Sequence, residues 1–150
     1  MKRFNFRLEK IKRYKEQLEQ EKRMNLATKR RILALEKEKL SEIVLTQRRY
    51  FAEYGARRTG RLNLGQLIIA KRYLDKLSRD IAEQSKNVKH AEAEVAKAQN
   101  EFIVASKEKK KYEKLKEKHK AAYDYESLLA ENRELDEFGA RAKASALATA

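Results

Sequence analysis

Between Leu74 and Tyr112, side chains of one kind return at alternating steps of three and four residues: Leu74, Leu77, Ile81, Gln84, Val88, Ala91, Val95, Ala98, Phe102, Ala105, Lys109 and Tyr112. Ten of these twelve positions are apolar, and the residues between them are mostly charged or amide side chains. The pattern predicts a long helix with a narrow seam that must pack against another helix. Alanine at 91, 98 and 105 makes the middle of that seam slim, so a partner can come close while each layer buries little area.

The same chain offers the partner. A second stepped seam runs through Ile11, Tyr14, Leu18, Glu21, Asn25, Thr28, Ile32, Glu36, Leu40, Ile43, Gln47, Tyr50 and Tyr54. Its consecutive four-residue steps around Glu36 predict a stutter that locally unwinds the supercoil, with a loosely held middle third in which Leu33 and Leu35 partly compensate for Glu36. Three of the four glycines then cluster at 55, 60 and 65, where Gly55 suits a helix C-cap, Gly60 a turn, and Asn63 the N-cap of the next helix. The expected plan is all-α: a long antiparallel two-helix coiled coil, treated as one domain over 1–150. Helix 1 covers about 5–54, a hinge 55–65, helix 2 about 66–138, and a flexible tail 139–150. Residue numbers at one level should sum to about 123, which pairs Tyr50 with Tyr73, Ile32 with Ala91, Leu18 with Ala105 and Ile11 with Tyr112. Helix 1 runs out before helix 2 does, so the last thirty residues or so form a single-helix overhang. It carries Tyr123, Leu128, Leu129, Leu135 and Phe138 at helical spacing.

Composition supports long helices over a thick core: 40% of the residues are charged, proline is absent, and there are only four glycines. With no cysteine there is neither a disulfide framework nor a thiolate metal site, and a reducing cytoplasm is the natural setting. The opening MKRFNFRLEK lacks an apolar core, and no run approaches the roughly 20 apolar residues that span a bilayer, so a soluble protein is expected.

The net charge of +14 calls for an acidic partner: nucleic acid, an anionic membrane surface or an acidic protein pore. Between Lys107 and Lys120 eight lysines face three glutamates, and the antiparallel register sets this run beside Lys2, Arg3, Arg7, Lys10, Lys12, Arg13 and Lys15. The hairpin end carries Arg48, Arg49, Arg57, Arg58 and Arg61 beside Tyr50, Phe51, Tyr54 and Tyr73. The bland readings are a solvated lysine face, tyrosines that merely fill the seam, and an apolar stripe buried by a second copy. No catalytic set emerges: His90 and His119 lack metal-ligand spacing, the carboxylates have no pocket to desolvate them, and GARRTGRLNLG lacks a phosphate-binding ending. An enzyme is not expected, and neither is a cofactor.

The segments MKRFNFRLEKIKRYKEQLEQEKR, RYLDKLSRDIAEQ, KEKKKYEKLKEKHKAAYDYE and LLAENRELDEFGARA, in that order and over nearly the whole chain, resemble the flagellar export protein FliJ family. That resemblance implies a cytoplasmic component of the flagellar type III export apparatus, peripheral at the inner face of the cell membrane, similar to the central stalk of rotary ATPases. The implied partners are the hexameric export ATPase FliI, the cytoplasmic domain of the export gate protein FlhA, and export chaperones. The family's gate-facing positions correspond to Tyr50, Tyr54, Tyr73 and Leu77, whereas Asp80 and Gln84 match less well. On physical grounds the expected ATPase-binding residues are Arg7, Lys10, Arg13, Lys110, Lys114 and Lys118, with Leu128, Leu129 and Leu135. Two alternatives stay open: a basic coiled coil that binds nucleic acid through its charge, and an injectisome stalk or scaffold.

Overall fold

The computed structural model describes residues 3–57 and 63–148, and these form two helices, α1 (Glu9–Arg57) and α2 (Leu64–Ala148), with no strand among the described residues. Before α1, Phe6 accepts a hydrogen bond at 3.0 Å from the Glu9 N–H, and Leu8 accepts one at 2.9 Å from Lys12. Asn63 caps α2: its side-chain oxygen accepts from the Gly65 N–H at 3.0 Å and its carbonyl accepts from Leu67 at 3.1 Å. α1 thus starts a turn later than the sequence predicts and runs through Gly55 to Arg57, while α2 passes Gly139 and continues to Ala148. No described glycine has a positive φ, so neither Gly55 nor Gly139 acts as a left-handed cap. Gly60, Arg58, Arg61 and Lys2 lie outside the described residues.

The helices pack antiparallel as a hairpin, and contacts group the chain into two units. Unit 1 comprises residues 1–19 and 105–150; unit 2 comprises residues 20–104. In unit 2, Lys22 pairs with Glu101 at 2.7 Å and Lys29 with Glu94 at 2.9 Å, while Tyr50 meets Tyr73 edge-on with ring centroids 4.6 Å apart. In unit 1, Lys15 pairs with Glu108 at 3.6 Å and Lys116 with Glu9 at 2.8 Å. The first four of these pairs have residue numbers that sum to 123, the register expected from the position of the glycine cluster.

The α2 seam is the expected one. Leu77, Val88, Ala91, Ala98 and Ala105 are buried, and Leu74, Ile81, Gln84, Val95, Phe102, Lys109 and Tyr112 are half-buried. The α1 seam is not. Its protected positions include the line Lys12, Lys15, Glu19, Lys22, Leu26, Lys29, Leu33, Glu36, Leu40, Ile43, Gln47, Tyr50 and Tyr54, an unbroken three-four alternation without a stutter, with Leu18 of the expected seam half-buried beside it. Before Glu36 this is one residue away from the expected seam, and Ile11, Tyr14 and Ile32 are 42%, 60% and 43% exposed. The thin partner seam explains the shift. Glu19, Leu26 and Leu33 stand at the levels of Ala105, Ala98 and Ala91, where a bulky side chain meets a small one. Lys22 and Lys29 stand at the levels of Phe102 and Val95; there their apolar stems replace aliphatic side chains, and their ammonium groups reach the neighbouring glutamates. At the former stutter site Glu36 is held in register, because the Gln84 side-chain amide donates both to its carbonyl, at 3.0 Å, and to its carboxylate.

Two outcomes test this packing. Leu26→Ala should cost about 2–3 kcal/mol in urea unfolding followed by circular dichroism, because it removes a buried side chain, whereas exposed Ile32→Ala should cost under about 1 kcal/mol; the reverse order would restore the other register. The second concerns acid. Hydrogen bonds from Lys22 and Lys29, with their charge, hold Glu101 and Glu94 below the ordinary glutamate value of 4.5. A depressed folded pKa gives stability that is complete above the unfolded value and is lost as pH falls through the folded one. The melting temperature should therefore be level from pH 7 to about 5 and fall below about 4.5, with a smaller fall in Glu94→Gln/Glu101→Gln; an acid profile identical in that variant would remove the pairs as its cause.

Candidate functional site

Unit 2 holds the first candidate surface, at the helix ends nearest the chain reversal. Tyr50 and Tyr73 support each other edge to face, Tyr50 half-buried and Tyr73 37% exposed. Tyr54 is half-buried one turn on, and Leu77, one turn along α2 from Tyr73, is 7% exposed, a core residue rather than part of the outer face. All four positions expected to face the gate thus fall in one unit, with three of them reaching the surface.

A stronger apolar feature lies beside them. Phe51 is 67% exposed and stands between two shallow grooves that share Leu74. One, of about 410 Å³, is lined by Gln47, Arg48, Phe51 and Leu74; the other, of about 250 Å³, by Phe51, Tyr54, Gly55, Leu67, Lys71 and Leu74. Leu64, Ile68 and Ile69 are also exposed, at 73%, 47% and 67%. The signal for this surface is in the sequence: Leu67, Ile68, Ile69 and Ala70 are consecutive, and one narrow seam cannot take four neighbours on a helix.

Unit 1 holds the second surface. Most of its cations fall into two sets, and Lys111, 74% exposed with a 3.8 Å approach to Glu108, lies between them. Lys12, Lys15, Lys109 and Lys116 lie on the seam or its flank and are paired with Glu16, Glu108, Glu113 and Glu9 respectively. Arg7, Lys10, Lys110, Lys114 and Lys118 are exposed and make no ion pair among the described residues; Arg13 is 74% exposed with only a 3.9 Å approach to Glu9. The aliphatic residues expected to act with them are also outside: Leu128 54%, Leu129 37% and Leu135 67% exposed, joined by Tyr125 at 63% and Phe138 at 67%. Tyr123 leaves this stripe, since its ring packs on Phe4 at 5.5 Å, and Phe6 meets His119 edge-on at 5.7 Å. The segment before α1 therefore covers α2 further along than the helix alone would.

A third depression, in unit 2, is lined by Lys29, Ile32, Glu36, Asn87, His90, Ala91 and Glu94. Both of its carboxylates are engaged, Glu36 by Lys39 and Gln84 and Glu94 by Lys29, and both are held below the ordinary range, the wrong direction for a general acid. Among the described residues no group of acidic, histidine or cysteine side chains is arranged to hold a metal ion, and no helix is long and apolar enough to cross a membrane.

Residues 4–147 match the family model described as Flagellar FliJ protein. No curated protein and no solved structure matches the chain.

Proposed function

We propose that this chain, which belongs to the FliJ family and is thereby a component of flagellar protein export, links two machines: unit 1 engages the hexameric export ATPase FliI, and unit 2 the cytoplasmic domain of the gate protein FlhA. The observation that carries the reading is the sorting of cations in unit 1. Lysines that tie the two helices together are paired, and a second set is left on the outer face, where a partner can reach it. An acidic ring interior would draw Arg7, Lys10, Lys110, Lys114 and Lys118 through its field, a contact that weakens as salt shortens the screening length to about 8–10 Å. Leu128, Leu129 and Leu135 would then supply apolar anchors, which salt does not weaken.

On the gate side, an aromatic pair already locked edge to face loses little rotamer freedom on binding, which favours a hot spot at Tyr50 and Tyr73. Leu77 would act by supporting that pair from the core, and Tyr54 with Phe51 would extend the contact. Work at the inner face of the cell membrane would follow from attachment to the gate, without any spanning segment of this chain.

The test is ATP hydrolysis by the cognate export ATPase, with and without this protein, at about 50 and 300 mM salt. Stimulation that saturates near one chain per hexamer and falls at high salt is expected. Leu128→Ser/Leu129→Ser should weaken the half-saturating concentration at least about tenfold with helicity retained, and Tyr50→Ala/Tyr73→Ala should spare stimulation while weakening gate binding by a similar factor. Unchanged stimulation by the leucine variant would remove the stripe from the ring contact, and no stimulation of a competent ATPase would remove the stalk role.

A further inference from the structure

The exposed apolar stripe of unit 1 is not the uncovered end of the hairpin seam. Toward α1, α2 presents Ala105, Lys109, Tyr112, Lys116, His119 and Tyr123, in alternating steps of four and three. Tyr125, Leu128 and Leu135 are displaced from that line by roughly half a turn around the helix. Followed toward the N-terminus of α2, the same outer line consists of Ala121, Lys118, Lys114, Lys111 and Lys107, all exposed. The outer face of one helix thus carries four lysines and then an apolar stripe.

The flanking charges divide in the same way. Residues 107–120 hold eight lysines and three glutamates, a net charge of +5, whereas residues 124–137 hold six acidic residues and one arginine, a net charge of −5. The block centres lie 17 residues apart, about 25 Å along a helix and beyond the screening length of about 8–10 Å. Within one chain the two blocks cannot neutralise each other.

We propose that unit 1 forms a two-fold symmetric dimer in which the outer faces of two α2 helices pack antiparallel about Ala121. In that register residue numbers facing each other sum to about 242, setting Leu128 over Lys114, Tyr125 over Lys118 and Leu135 over Lys107. The lysine stems cover the apolar stripe, and their ammonium groups reach Asp124, Glu131, Glu134 and Asp136 of the facing block. A two-fold axis makes every contact twice, over about 30 residues or ~45 Å of helix. The competing arrangement, apolar stripe on apolar stripe about Asn132, would stack two blocks of net charge −5 and is disfavoured. Lys114, Lys118, Leu128 and Leu135 serve both the dimer and the ring contact, so the dimer is a form that must open before ring engagement; only this last consequence rests on the ATPase reading.

The test needs no partner protein. Sedimentation velocity of the full chain between about 5 and 200 μM should give a dimer whose dissociation constant rises at least about tenfold between 50 and 500 mM salt. Glu131→Lys/Glu134→Lys/Asp136→Lys and, separately, Lys107→Glu/Lys110→Glu/Lys111→Glu should each be monomeric, with helicity by circular dichroism reporting that each is folded. Mixed in equal amounts, these two variants should form a heterodimer, because every facing block is then opposite in sign. A monomeric wild-type chain at 200 μM and 50 mM salt would overturn the proposal. So would a dimer that survives the lysine swap, as the apolar-on-apolar packing would, or folded variants that stay apart on mixing.

Discussion

Everything in this fold depends on how a thick helix is fitted to a thin one. Ala91, Ala98 and Ala105 draw α1 close to α2, and the levels between them hold larger side chains, so α1 must alternate in step: Leu33, Leu26 and Glu19 at the alanines, Lys29 and Lys22 at Val95 and Phe102. A seam between two helices has open edges, and Glu19 is the one charged residue among the described residues that it buries. A seam lysine can therefore lay its stem along the interface and leave its ammonium at the edge, where Glu94, Glu101 or Glu108 meets it. Such pairs add direction to an apolar contact, and a slide by one heptad would leave one of the three lysines without its glutamate. The Gln84 amide on Glu36 does the same at one level, a polar layer that specifies register at some cost in apolar burial.

That constraint also decides what the sequence could reveal. The α2 seam was legible throughout, because ten of its twelve residues are apolar, and the register followed from the one glycine cluster. The first half of α1 was not, because stepping between apolar residues selects Ile11, Tyr14 and Ile32, whereas the true seam there runs through lysines. A different signal was available: Lys15, Lys22 and Lys29 recur every seven residues, and so do Glu94, Glu101 and Glu108, in the sense an antiparallel pair requires. The aromatic pair Tyr50 and Tyr73 was predictable from the same register, while the exposure of Phe51 depends on which way each helix is rotated, a fact that register alone does not carry.

Because the hairpin uses only one stripe of each helix, the opposite stripe is free to carry separate chemistry. On α2 of unit 1 the two are visibly different. The inner line mixes alanine, tyrosine and lysines already paired, and the outer line holds exposed lysines, of which only Lys111 approaches a carboxylate among the described residues, at 3.8 Å from Glu108, followed by exposed Leu128 and Leu135. Changing one should leave the other standing, since residues half a turn apart share no contacts.

This separation has a physical limit. A block of net charge +5 within fourteen residues repels itself along the helix, and i,i+4 glutamates relieve only part of that, as the Lys109–Glu113 approach of 3.7 Å illustrates. On the two readings proposed above, the block's remaining field is answered by an acidic ring wall or by the acidic block of another copy, in place of water and counterions. Both answers use the same outer lysines and the same leucines, so they compete by mass action: the more copies are held as dimers, the more tightly a ring must bind to capture one. In either state of that competition the apolar stripe is covered, so the same leucines need not be left facing water.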